Sequence, residues 1–331
     1  MKLIIPMAGR GTRLRPHTHV TPKPLLPVVG VPMVERIVNT FTQVLPRPLS
    51  EGVFVLGDFP QDVNEQLTQI CERHGMKASF VYQDIALGTG HAIDCARDFL
   101  EGEIISVFAD TVFTIDTAVS LEGADVVAFV KWVEDPRRFG VVVMNDDRIT
   151  DFVEKPKEII SNEALIGIYY VKEGERLRNA LKHIIENEVT GHGNEYQLTD
   201  AFDYMLKQGL VFKTAQVTDW LDCGTIEALM DTSRFLLNRP GEARMLGTIE
   251  ESVIIQPVHL GEGAVVRRSI VGPNVVVEAG AQITDAIVRD SIVFSGARIQ
   301  TAQLADSLVG REATLSGHLR KVNVGDHSFS G

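Results

Sequence analysis

The sequence predicts an α/β protein: a doubly wound, Rossmann-like domain on a mixed, mainly parallel sheet, followed by a parallel β-helix. Three observations carry that expectation. Short apolar runs alternate with amphipathic runs through the first two-thirds of the 331 residues, the pattern of a sheet with helices on both faces. The composition then shifts: no Trp or Tyr follows Trp220, and Lys321 is the only lysine after Lys213. Beyond that shift, aliphatic residues stand six apart, as in the stacked coils of a β-helix. The turn residues Asn238, Arg239, Pro240 and Gly241 place the boundary, giving domains 1–240 and 241–331.

In chain order, 3–5 reads as a buried strand. A helix starts near Pro32 and carries Val34, Ile37, Val38 and Phe41 on one side. Residues 53–56 form a strand, 61–74 an amphipathic helix, 79–82 a strand, 90–100 a helix and 104–108 an apolar strand. Strands at 126–131, 140–144, 149–154 and 165–171 make the middle richer in β structure. Helices at 173–187 and 199–207, a strand at 211–216, a turn at 220–225 and a helix at 226–237 complete the domain. In the tail, Ser252, Ser269, Ser291 and Ser307 each precede an aliphatic pair. The six-residue spacing runs Ile254–Leu260–Val266, Val271–Val277–Ile283, Val293–Ile299 and Val309–Leu315. It resembles the left-handed hexapeptide helix, and the slips between runs predict bulges at some turns.

The stretch after the first strand stands out. Gly9 and Gly11 lie among four cations, Arg10, Arg13, Arg15 and Lys23, and no acid occurs before Glu35. Successive N–H groups of a glycine turn form an anion-binding concavity, to which Arg and Lys add full charges. In a chain of net charge −12, this reads as a grip for a polyphosphate. It is not the dinucleotide fingerprint, because Leu14 occupies the third small position. It is not a P-loop either, because no Gly-Lys-Ser/Thr follows.

Apolar content of 44% and charged content of 23% are ordinary for a globular chain. The acidic balance argues against nucleic acid or an anionic membrane as partner. The three cysteines, Cys71, Cys95 and Cys223, form no Cys-x-x-Cys pair, so neither a disulfide framework nor a zinc site is indicated. The first apolar run is broken by Pro6 and Gly9, unlike a signal peptide, and no stretch has membrane-span length. A cytoplasmic location is expected.

Two aspartates are candidate ligands for a hard cation. Asp110 follows an apolar strand and Asp222 lies in the 220–225 turn; either residue could instead serve as a cap or turn former. Gln83 precedes Leu87, Gly88, Thr89 and Gly90. An amide offers a donor and an acceptor to a base edge, and the glycines allow close approach of a flat ring. Glu154 and Lys155 form a charged pair, which a solvated strand end would also explain. His91 reads as a helix N-terminal residue, and His17 and His19 as loop bystanders.

Residues 7–33, MAGRGTRLRPHTHVTPKPLLPVVGVPM, closely resemble the signature of the sugar-1-phosphate nucleotidyltransferases, and the resemblance extends over nearly the whole chain. It implies the reaction of an NTP with a sugar 1-phosphate to give an NDP-sugar and pyrophosphate. It places Arg13 and Lys23 as catalytic cations, and Ala8, Gly9, Gly11, Thr12, Gln83, Gly88 and Thr89 at the nucleotide. Gly140, Glu154, Lys155 and Gly167 fall at the sugar phosphate, and Asp110 and Asp222 at Mg²⁺. The segment around Glu195 and Asp200 also resembles family segments near the sugar. The Gln with Leu-Gly-Thr-Gly is similar to the uridine- and thymidine-using branches. On this resemblance dTTP or UTP with glucose 1-phosphate is favoured. N-acetylglucosamine 1-phosphate uridylyl transfer and mannose 1-phosphate guanylyl transfer stay open. So do a non-catalytic regulatory subunit of the same architecture and a tail with acyltransferase activity, in which His259 is the residue to watch. The favoured role of the tail is subunit packing, in a homo-oligomer, or allosteric binding.

Overall fold

The computed structural model describes residues 1–9, 11–19 and 21–317. Arg10 of the basic run and residues 318–331 of the expected tail lie outside the described residues. The chain divides into two compact units, one of residues 1–26 and 32–224, the other of 27–31 and 225–331. The contact-based division falls before the helix at 226–237, which packs with the second unit: Arg234 reaches Asp306 at 2.7 Å and Asp290 at 3.6 Å.

The first half of the chain runs β1 (Lys2–Pro6), a two-residue hairpin β2 (Pro27–Val28) and β3 (Val31–Pro32), α1 (Met33–Val44), β4 (Glu51–Leu56), α2 (Asp62–Arg73), β5 (Lys77–Tyr82), α3 (Thr89–Asp94), β6 (Ile104–Val107) and β7 (Thr111–Thr114). Then follow β8 (Val126–Trp132), β9 (Gly140–Asn145), β10 (Arg148–Glu154), β11 (Glu163–Val171), α4 (Gly174–Glu186), α5 (Leu198–Lys207), β12 (Phe212–Gln216) and β13 (Asp219–Asp222). The main sheet has nine strands. Its backbone order is β5–β4–β1–β6–β11–β8–β12, and the β9–β10 hairpin pairs with the N-terminal part of β11. β1 is parallel to β4 and β6, while β11 is antiparallel to β6 and β8. The apolar runs are continuous because both faces are covered. Leu3 and Ile5 face one core with Phe54 and Leu56, and Ile4 faces the other with Val53 and Val55.

Two local expectations change. The helix expected over 90–100 ends at Asp94, where hydrogen bonding tightens: Cys95 N–H still reaches His91 O, but Ala96 N–H reaches Ile93 O, three residues back. The expected 220–225 turn begins as a strand, with β13 antiparallel to β7 and Asp222 opposite Thr111.

The second unit continues from α6 (Ile226–Leu237), whose first N–H groups are capped by Thr225 through Ala228 N at 3.2 Å. Its thirteen described strands, β14 (Thr248–Glu250) to β26 (Thr314–Ser316), form the three parallel sheets of a left-handed β-helix. Each six-apart aliphatic sits on a different sheet: Ile254, Leu260 and Val266 lie on β15 (Val253–Ile254), β16 (Val258–Leu260) and β17 (Val265–Arg267). The expected bulges are replaced by shortened faces. Val266 pairs with Ile283, a 17-residue coil, and Ile283 with Ile299, a 16-residue coil. Runs of five between faces remove one or two residues from the ideal eighteen. The serine repeat also splits. Ser252 accepts from Ser269 N–H at 3.0 Å in one corner, and Ser291 accepts from Ser307 N–H at 3.2 Å in another. Corner residues Glu251, Arg268, Asp285 and Thr301 all take positive φ, and the Arg268 guanidinium holds Asp285 at 2.7 and 2.8 Å.

Among the described residues no helix is long and apolar enough to cross a membrane. Ile283 is fully buried in the coil core with Val266 and Ile299. Ile283→Ala is expected to destabilise the β-helix by about 2–5 kcal/mol, read as a lowered unfolding midpoint in denaturant.

Candidate active site

The sheet order reverses beside β1: the chain leaves it for β4 and β5, then returns to its other side as β6. Ligands of doubly wound sheets bind at such a switch point, beyond the carboxyl ends of the strands. Here the loops after β1 and β6 border a cleft of about 400 Å³, whose wall includes Ala8, Gly9, Gly11, Arg13, Lys23 and Asp110.

The loop after β1 is shaped by its own residues. Gly11 has φ +54°, and a Cβ there would approach Lys23 Cβ at 3.2 Å and Thr18 Cγ2 at 3.3 Å. Its carbonyl accepts from the Thr18 hydroxyl at 2.7 Å and from Leu14 N–H at 3.0 Å. Leu14, which breaks the dinucleotide spacing, is fully buried and pins the loop to the core. Thr12 lies in the short 3₁₀ turn Thr12–Leu14 with Arg13. A Cβ at Gly9 would meet no described atom beyond its chain neighbours within 4 Å, and Gly9 lines the cleft.

Lys23 is 8% exposed, and its Nζ donates to the Asp110 carbonyl oxygen at 2.6 Å. An ammonium has three donors, so this contact fixes its position while leaving N–H groups for another oxygen. The Asp110 side chain opens on the cleft but is crowded by protein. That crowding raises its pKa, Lys23 opposes the rise and Asp222 adds to it. No helix follows Asp110, so it has no helix to cap. The β7–β13 ribbon brings Asp222 beside it from 112 residues along the chain. One Asp222 oxygen accepts Gly224 N–H at 2.7 Å, and the Arg13 guanidinium lies against Gly224.

Two neighbouring carboxylates suit a Mg²⁺ ion, which keeps several waters and takes its remaining oxygens from phosphates. No group of three or more His, Cys, Asp or Glu poised for a metal occurs among the described residues.

Gln83, Gly88 and Thr89 line another part of the cleft, with Ala86 and Ala92. Gly88 has φ +117°, and a Cβ there would strike the Tyr196 carbonyl oxygen at 2.5 Å. The loop is clamped on that segment: Tyr196 N–H donates to Leu87 O at 2.9 Å and Gly90 N–H to Tyr196 O at 2.8 Å. The Thr89 hydroxyl donates to Gln197 Oε1 at 3.0 Å and accepts Leu198 N–H at 3.0 Å.

Gly140, Glu154, Lys155 and Gly167 are not on the wall of this cleft. Gly167 stands behind it. With φ +76° it interrupts β11 between Leu165 and Tyr169, and its carbonyl accepts from Phe108, a wall residue, at 3.0 Å. A Cβ at Gly140 would meet Glu154 Oε2 at 2.7 Å, so that glycine makes room for the carboxylate. Lys155 Nζ is 3.8 Å from Glu154, and its N–H reaches Phe139 O. The Phe139 ring packs at 4.8 Å on Trp220, two residues before Asp222. Glu154 also helps to raise the pKa of Tyr169 and of Asp200, in each case after burial. Sequence reasoning gave Glu195 only a loose place, yet it lines the cleft; its position comes from the clamp at Tyr196, which leaves no local pattern.

The fold and cleft define a class first: a doubly wound α/β protein with a cationic loop and a carboxylate pair at its switch point, the groups that phosphate transfer needs. Comparison with known proteins then gives the family. Residues 2–239 match the family described as nucleotidyl transferase, and residues 224–294 match the GlmU-like C-terminal hexapeptide. The chain belongs to the nucleotidyl transferase family. It is 28% identical over 365 residues to a glucose-1-phosphate thymidylyltransferase of Streptomyces griseus, covering 99% of this chain and 98% of the relative. It is 30% identical over 275 residues to the bifunctional protein GlmU of Methanococcus maripaludis, covering 81% of this chain but only 62% of that longer protein. A crystal structure of a putative glucose-1-phosphate thymidylyltransferase from Bacillus anthracis, in complex with sucrose, superimposes with a TM-score of 0.58 at 27% identity, over 71% of this chain and 94% of that one.

Gly88→Ala is expected to dislodge the loop from Tyr196 and to weaken nucleoside triphosphate binding at least about tenfold by calorimetry, the loss of one or two site contacts, with the far-UV CD spectrum unchanged.

Proposed function

We propose that the protein transfers a nucleotidyl group from an NTP to a sugar 1-phosphate, releasing pyrophosphate. The observation that carries this reading is the convergence of Arg13, Lys23 and Asp110 on one cleft, with Asp222 brought alongside by the β7–β13 ribbon. A phosphate monoester has its second pKa near ~6 and is largely dianionic at neutral pH. Such a nucleophile needs no general base; the obstacle is repulsion between two anions. Positioned cations then supply most of the catalysis. Lys23, held by the Asp110 carbonyl, neutralises the α-phosphate. Arg13 and the N–H groups around Gly9, Gly11 and Thr12, next to Ala8, hold the pyrophosphate end. A Mg²⁺ ion on Asp110 and Asp222 would screen the phosphate oxygens as a Lewis acid. Gln83, Gly88 and Thr89 face the base. Gly140, Glu154 and Gly167 serve the sugar end, and Lys155 the attacking phosphate.

The full-length similarity to a thymidylyltransferase supports dTTP or UTP with glucose 1-phosphate. The similarity to GlmU supports N-acetylglucosamine 1-phosphate as the second candidate. An acyltransferase role for the tail finds little support at His259. That residue is 4% exposed, its Nδ1 accepts Arg244 N–H at 3.3 Å, and its ring lies over Gly30. Homo-oligomerisation is supported by Val253, Ile270 and Ile287, which stack in register on one outer sheet while 56%, 39% and 43% exposed.

Pyrophosphate release measured with four nucleotides against several sugar phosphates tests the function. Turnover with dTTP or UTP that stops on adding EDTA is expected, and Lys23→Ala is expected to lower it by on the order of 10²-fold or more. A near-normal rate in that variant would remove Lys23 from the chemistry. Ile270→Glu is expected to lower the mass found by light scattering and to leave the turnover of each chain in place.

A further inference from the structure

The hairpin that follows Lys23 belongs to the second unit. Lys23–Leu25 is a 3₁₀ turn, in which Leu26 N–H reaches Lys23 O at 3.0 Å, and Leu26 O accepts Met33 N–H at 3.2 Å. Between those two residues, 27–31 leave the first unit and pack with the second. Val28 and Val29 are buried, and α6 lies against β2.

Two buried side chains of the β-helix hold the turn of this hairpin. His259 lies on β16, and Glu278 follows β19 (Val275–Val277), the neighbouring strand of the same sheet. Glu278 Oε1 accepts Gly30 N–H at 3.0 Å. A Cβ at Gly30 would come within 2.7 Å of His259 Nε2, so the ring sits where only a glycine leaves room. Nδ1 of that ring accepts Arg244 N–H at 3.3 Å, which fixes its orientation.

The backbone of the turn is strained. Val29 has φ +49° and Gly30 φ +79°, the left-handed pair that a two-residue hairpin turn needs and that Asn-Gly usually supplies. A β-branched residue takes such a φ only where its surroundings impose it. Here the surroundings are the packing that buries Val29 and the contacts of Glu278 and His259 with Gly30. Without them the turn would relax, and only Pro24, Leu25 and Leu26, all buried, separate the hairpin from Lys23.

We propose that this hairpin is a clamp through which the second unit holds Lys23 in place, with Glu278 and His259 as positioning residues for the transfer. The clamp acts along the chain, through the hydrogen-bonded 3₁₀ turn. It rests on the reading of Lys23 as the cation at the α-phosphate.

The test combines hydrogen exchange and turnover in the full chain, for the wild-type protein, Glu278→Ala, Glu278→Gln and Gly30→Ala, with the thermal midpoint of each as a check on folding. Amide exchange over 27–31, read by mass spectrometry, is expected to quicken about tenfold in Glu278→Ala, the effect of losing one hydrogen bond to a charged group. Gln keeps an acceptor oxygen at the same reach, so Glu278→Gln should restore slow exchange. In Glu278→Ala and Gly30→Ala, kcat for pyrophosphate release is expected to fall about tenfold with KM little changed, since a misplacement of about 1 Å can cost about 10²-fold. In a Lys23→Ala background, Glu278→Ala should cost nothing more, because both act through one group. A further tenfold loss there would overturn the proposal, as would unchanged exchange or unchanged kcat in a folded Glu278→Ala protein. Near-normal turnover by Lys23→Ala itself, or no turnover by the wild-type protein with any NTP and sugar 1-phosphate, would overturn the catalytic reading of Lys23 and this proposal with it.

Discussion

A nearly buried ammonium bound to a backbone carbonyl is the contact on which this site depends. Lys23 Nζ, 2.6 Å from the Asp110 oxygen, ties the loop after β1 to the loop after β6. Those two strands flank the point where the sheet order reverses. A charge so far removed from water must be compensated, and here compensation comes from the carbonyl and from two carboxylates nearby. The same carboxylates repel one another, which lifts Asp110 above the ordinary aspartate range once burial has begun to do so. A cation between them would relieve that repulsion. The arrangement thus holds both signs of charge close to one cleft.

Close backbone approaches set the shape of that space. Gly88 lets the base-side loop lie against Tyr196, and Gly167 lets β11 break so that Phe108 can form part of the wall. Gly11 lets the cationic loop pass over Thr18 and Lys23. In each case φ is positive and a Cβ would meet an atom that has little room to move. At Gly9 the opposite holds: the space is open on the protein side. Some glycines in this region are therefore demanded by the fold, and one, Gly9, borders open space on the cleft.

The second unit solves a different problem. Three flat faces must turn through three corners per coil, and most of the described corners contain a residue of positive φ, here Gly, Asp, Asn, Arg, Glu or Thr. Shortening a face from six residues to five keeps the inward aliphatic in register with the coil below. Charged corner residues then pair along the stack, as Arg268 does with Asp285. The stability of the helix comes from its continuous aliphatic core, to which all three faces contribute side chains.

The sequence by itself determined what local period and local charge encode. Continuous apolar runs marked β1, β4 and β6, because strands covered on both faces need no polar side. Six-apart aliphatics marked the β-helix, because each face buries one. Glycines and cations free of acids set off the stretch that contains Lys23, and Asp110 could be named as a candidate from its place after a predicted strand. Tertiary structure alone decided what depends on pairing across long separations. β13 is short, and Trp220 and Leu221 between its two aspartates read as a turn until Thr111 to Thr114 lie opposite. The helix at 226–237 joins the second unit through Arg234, whose partners lie 56 and 72 residues further on. Glu195 reaches the cleft, and Gly30 meets Glu278, because chain segments distant from each site fix the loops that carry them. Such contacts are selected by the packing of the whole chain, and no pattern within one segment records them.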